Sequence, residues 1–161
     1  MTWLLIIFGV AVVLSPLMWF KQSPYQKRVA YLRGSTAALN LRVSLHRRPD
    51  GRETESSLES VCYKMRWENS DSQKNWVIHR FSPRGWESPC TGWRWVQNEA
   101  NVSWHGILLE ILPELPVGVT AIIASQADVG AIWDERGGHD ELVKIAEILG
   151  KLKHHIENIS H

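Results

Sequence analysis

The side chains able to do chemistry are few and scattered. Cys62 and Cys90 are the two cysteines, and seven histidines are spread through the chain. Neither cysteine belongs to a C-x-x-C pair. His154 and His155 are adjacent, so on a helix they project roughly 100° apart and do not face one ion together. His139-Asp140-Glu141 is read more simply as the acidic start of a helix than as a metal cluster. No G-x-S-x-G elbow and no phosphate-cradling glycine loop occurs; Gly85 and Gly137-Gly138 lack either spacing. The expectation is therefore no metal, no cofactor and no catalytic set. The alternative is an enzyme or small-ligand domain whose site is assembled from distant residues such as Cys62, His79 and His105.

A second constellation points to binding. Nine tryptophans are present, and six fall between Trp67 and Trp104. Within that stretch, Arg84, Trp86, Trp93, Arg94 and Trp95 interleave guanidinium and indole groups in a region broken by Pro83, Gly85, Pro89 and Gly92. Arg and Trp anchor protein interfaces, and loops display binding residues. The rival reading is that the tryptophans are core. Stacking on single-stranded nucleic acid also uses such pairs, but a net charge of +1 gives no bulk attraction to a polyanion. A protein partner is the expectation. Asp134-Glu135-Arg136-Gly137-Gly138 reads as a solvated charged turn.

The elements that must position these groups begin with Trp3–Phe20, a run with no charge. As a helix it spans roughly 27 Å, against roughly 30 Å for a bilayer's hydrocarbon core. Trp3 and Trp19 stand near its ends, where indoles favour a membrane boundary. Lys21, Lys27 and Arg28 open a flank with no acid before Asp50, which predicts a cytoplasmic side for the remainder of the chain. A cleaved signal peptide would need a basic start and a small-residue cleavage site, and both are missing. The expected arrangement is a transmembrane anchor over 1–22, a juxtamembrane helix over 23–40, an α+β domain over 41–157 and a frayed tail over 158–161. The expected location is a bacterial inner membrane, single-pass, with the N-terminus outside. The cysteines would then be reduced, forming one disulfide only if the orientation is reversed, and the two Asn-x-Ser sequons, at Asn101 and Asn158, would be incidental.

Beyond the run, Ser23-Pro24-Tyr25-Gln26 predicts a capping box, and Asn40 a left-handed stop. Alternation predicts strands over 41–45, 61–67, 76–81 and around 92–96, with the second and third forming a hairpin. The stretch 47–57, with its Pro-Asp-Gly, and Glu68–Lys74 read as loop and turn. Asn101 or Ser103 can cap a helix through Leu112. The apolar run 117–124, the turn at Ser125 and 129–133 predict a second hairpin. Leu142, Ile145, Leu149, Leu152 and Ile156 recur at steps of three and four in a last helix. The sum is α+β, a mainly antiparallel sheet with helices packed on one face.

The uncharged run followed by Pro24, Gln26, Lys27 and Arg28 resembles the start of the YajC family of translocase accessory subunits, over about the first 30 residues. That resemblance implies a role beside a protein-export channel and carries no site residues past the flank.

Overall fold

In the computed structural model, residues 2–19, 23–51, 58–67 and 75–159 are described, apart from the side chains of 5, 13–19 and 159. The chain divides into two compact units, Met1–Tyr31 and Leu32–His161. The first holds helix α1 (Thr2–Trp19) and most of α2 (Pro24–Ser35). The α2 start is the expected reciprocal box: the Ser23 amide donates to Gln26 Oε1 at 3.0 Å and the Gln26 amide to Ser23 Oγ at 3.2 Å. Arg28 stacks over the Tyr25 ring at 5.4 Å.

The expected span over 1–22 is overturned. Among the described residues, no helix is long and apolar enough to cross a membrane. α1 is described over 18 residues, Thr2–Trp19. With the span go the single-pass inner-membrane location and the boundary roles given to Trp3, Trp19, Lys21, Lys27 and Arg28. Lys21 and the Trp19 side chain lie outside the described residues. Lys27 and Arg28 are exposed on α2.

The second unit is an α+β fold around one seven-stranded antiparallel sheet. Its strands are β1 (Arg42–Arg47), β2 (Glu59–Arg66), β3 (Trp76–Arg80), β4 (Trp86–Glu87), β5 (Trp93–Gln97), β6 (Val119–Ala124) and β7 (Asp128–Trp133), in the order β1-β2-β7-β6-β3-β5-β4. The β6–β7 hairpin forms as expected, and its turn is tied by Ser125, whose amide and hydroxyl both bond Asp128. A β2–β3 hairpin does not form; β7 and β6 lie between those strands. Apolar on both faces, β6 and β7 belong at the buried centre of the sheet, and the half-polar β1 takes an edge. The expected turn over 68–74 lies outside the described residues, as does 52–57.

One face of the sheet carries the main core. Tyr63, Trp76, Ile78, Trp93, Trp95, Ile122, Ala131 and Trp133 project toward helices α3 (His105–Ile111) and α4 (His139–Ile159). Each buried indole removes roughly 150–250 Å² from water. Asn101 caps the short 3-10 turn leading into α3, its side chain accepting from the Ser103 amide at 3.1 Å. α4 buries Leu142, Ile145, Leu149, Leu152 and Ile156. It continues through Ile159, past the point where fraying was expected. The opposite face holds a smaller cluster of Cys62, Val77, Ala121, Ile123 and Ile132.

Glu135, expected in a solvated turn, is only 3% exposed. Its carboxylate accepts from Arg33 Nε at 2.8 Å and Nη2 at 2.7 Å, and from the Tyr63 hydroxyl at 2.7 Å. The hydrogen bond to Glu135, first among several causes, raises Arg33 further; burial, then Glu135, raises Tyr63. This fork-and-carboxylate pairing fixes the end of α2 to the loop after β7.

Candidate functional site

The stretch between β3 and β5 is built by local rules. β3 ends at Arg80, whose guanidinium lies over two rings, Phe81 at 5.1 Å and Trp93 at 5.7 Å. Phe81 then adopts φ 64°, a left-handed backbone that costs a non-glycine residue about 1–2 kcal/mol. Phe81 is 73% exposed. The Arg84 amide bonds Ser82 Oγ at 3.1 Å, turning the chain. Gly85 follows at φ +89°; a Cβ there would sit 1.9 Å from the Trp95 carbonyl oxygen. Only glycine allows that approach, and it lets β4 pair with β5, Trp86 opposite Trp95 and Glu87 opposite Arg94. Beyond β4, Ser88 Oγ accepts from the Cys90 amide at 3.1 Å and lies 2.8 Å from the Trp93 carbonyl as donor.

These residues frame a cavity of about 440 Å³ at the end of the sheet, with Phe81, Glu87, Ser88, Cys90 and Arg94 in its wall. Burial pushes the Cys90 thiol up, so it stays protonated and inert.

The five residues expected to bind a partner separate into groups. Arg84 and Trp86 are exposed, and the Trp86 indole N–H donates to Glu99 Oε1. Trp93 and Trp95 are buried in the main core, where Trp95 meets Trp76 edge-on at 5.8 Å. Arg94 projects from the other face, half-buried beside His79 and Glu87. Sequence reasoning missed Phe81. Its only signal was a large aromatic at the end of an alternating strand, just before Ser82-Pro83.

Cys62, His79 and His105 do not converge. Cys62 and His79 share a face and a row of the sheet, but β7 and β6 lie between them, three strand spacings or roughly 14 Å. His105 sits on the helix side, its ring 6.4 Å from that of Trp95. Burial pushes the Cys62 thiol up to about 12. His79 instead faces Asp50, with Nε2 3.5 Å from Oδ1, and Asp50 is gripped by Arg48 at 3.0 Å. Burial, the larger effect, holds His79 below the ordinary imidazole range although Asp50 opposes it. Burial alone would raise Asp50, but the Arg48 hydrogen bond and the neighbouring His79 and Arg48 charges outweigh it and lower the carboxyl. Among the described residues, no three His, Cys, Asp or Glu side chains are grouped to hold a metal ion.

Compared with family models, curated proteins and solved structures, the chain finds no match.

Proposed function

We propose that the α+β unit is a protein-binding domain and that the β3–β5 loop makes the contact, through Phe81, Trp86 and Arg84. The observation that carries this reading is Phe81. This large aromatic residue stands 73% exposed on a left-handed backbone. Backbone strain and exposed apolar area both cost folding stability, and such strained positions cluster at ligand clamps. Trp86, 42% exposed, adds a second ring at the same edge of the sheet, and exposed Arg84 adds a charge. The partner that fits offers an apolar socket for the rings and a carboxylate for the guanidinium. Trp93 and Trp95, being core residues, support this surface from beneath.

The test is site-directed photocrosslinking in cells. Benzoylphenylalanine at position 81 is expected to capture one discrete partner band, whereas the same group at Leu45, 66% exposed on β1 at the opposite edge of the sheet, captures none. Equal labelling at both positions, or none at 81, would count against the loop.

A further inference from the structure

At the opposite edge of the sheet, on the face away from the helices, the register gathers positive charge. Arg42 of β1 stands opposite Lys64 of β2, and Arg66 of β2 opposite Asp128 of β7. Residues directly opposite in an antiparallel sheet share a face, as do residues two apart along a strand. Arg42, Ser44, Lys64 and Arg66 therefore point into one region, and they line a cavity of about 440 Å³ together with Asp128. That volume falls within the usual range for small-molecule sites.

Three features mark this hollow as a built site. First, among the described residues its charges do not balance: three basic groups face one carboxylate. Asp128 already accepts a hydrogen bond from the Ser125 hydroxyl at 2.7 Å and holds Lys64 only at 3.5 Å. Among the described residues, Arg42 and Arg66 have no ion pair. Second, Ser44 Oγ is shut off from solvent and has no hydrogen-bond partner among the described residues. An orphan buried hydroxyl costs free energy, and a ligand oxygen would recover it. Third, Gly130, opposite Lys64, makes room for the lysine stem beside the hollow. A Cβ at Gly130 would lie 2.7 Å from Cys62 Sγ and 2.9 Å from Lys64 Cγ, pushing the lysine stem out of place.

We infer that this hollow binds a small multivalent oxyanion, a free phosphorylated or pyrophosphate-like ligand. Arg42 and Arg66 supply planar forks matched to phosphate oxygens, Lys64 supplies a point charge and Ser44 a neutral hydrogen bond. Among the described residues no aromatic side chain lines the hollow to stack on a nucleobase, and the ligand is the anionic group on a small aliphatic or inorganic body. The site lies across the sheet from Phe81 and does not depend on the protein-binding reading.

The experiment is calorimetric titration of the full chain with inorganic pyrophosphate at low salt, with circular dichroism to check that each variant is folded. Saturable 1:1 binding is expected. Lys64→Gln and Arg66→Gln should each weaken it by roughly tenfold, the loss of one charge-assisted bond. Ser44→Ala should weaken it by a smaller factor, and Arg136→Gln, at a solvent-facing arginine outside the hollow, should leave it unchanged. Citrate measures whether a carboxylate can substitute for phosphate and is expected to bind more weakly. No saturation up to about 10 mM pyrophosphate would overturn the inference. So would equal weakening by Arg136→Gln, or binding to phosphatidylglycerol vesicles with no response to pyrophosphate.

Discussion

The Tyr63 hydroxyl donates to Glu135 Oε1 at 2.7 Å, joining residues 72 positions apart, and both side chains are almost wholly out of water. The same carboxylate takes both arms of Arg33. Removing a donor and removing the acceptor should differ. Tyr63→Phe leaves Glu135 with its arginine and should cost about 1 kcal/mol. Glu135→Ala strands a buried hydroxyl as well as the guanidinium and should cost about 2–3 kcal/mol. Urea unfolding of the two variants measures the gap, and equal midpoints would contradict the shared-acceptor geometry.

His79 makes stability depend on pH in a fixed direction. Its folded pKa lies below the ordinary 6.5, chiefly through burial, so between those two values the unfolded chain binds more protons. The contribution is complete above 6.5 and is lost as pH falls through the folded value. The melting temperature should therefore fall from pH 7 to pH 5, and His79→Gln should flatten part of that fall. Parallel curves for variant and wild type would refute the assignment.

Gly85 and Gly92 form a matched pair of substitutions. Both have positive φ, but a Cβ at Gly92 meets nothing within 4 Å, whereas at Gly85 it strikes the Trp95 carbonyl. Gly92→Ala should cost about 1 kcal/mol, the conformational penalty alone. Gly85→Ala must also break the β4–β5 approach and should cost at least about 2 kcal/mol. Thermal melts of the two proteins compare them directly.

Phe81→Gly separates binding from folding. Glycine relieves a left-handed phenylalanine, a gain of about 1–2 kcal/mol, and forfeits the Arg80 stacking, a loss of about 0.5–1 kcal/mol. Stability should stay within about 1 kcal/mol of wild type while partner recovery drops. A large destabilisation would instead make Phe81 a packing residue.

Cys62 should resist alkylation. With its thiol pushed up to about 12 and fully buried, negligible thiolate exists at neutral pH. Iodoacetamide labelling followed by mass spectrometry should modify Cys62 only after denaturant is added.

What could be foreseen from residue order was mostly local. The Ser23/Gln26 box, the Asn101 cap, the β6–β7 hairpin and the buried stripe of α4 each depend on neighbours within a few positions. Alternation placed Trp93 and Trp95 on one face but did not say that this face is the core, so two intended contact residues are interior. The two-residue β4 has no pattern of its own; it exists because Gly85 lets the chain close on Trp95. Strand order is non-local, and no local signal puts β6 and β7 between β2 and β3. The uncharged N-terminal run misled because absence of charge alone does not make a helix long and apolar enough to cross a membrane. Glu135 misled because a carboxylate among Asp, Arg and Gly looks solvated until its distant arginine and tyrosine are known.

The indoles of Trp95, Trp76, Trp104 and Trp67 succeed one another at 5.8, 5.5 and 5.9 Å between centroids. Chromophores that close share excitation, so the four form one optical unit whose circular dichroism belongs to the row and not to any single ring. Replacing Trp76 or Trp104 with Phe should therefore remove far more near-ultraviolet signal than one-quarter of it. The protein carries a built-in spectroscopic gauge of whether its interior is intact.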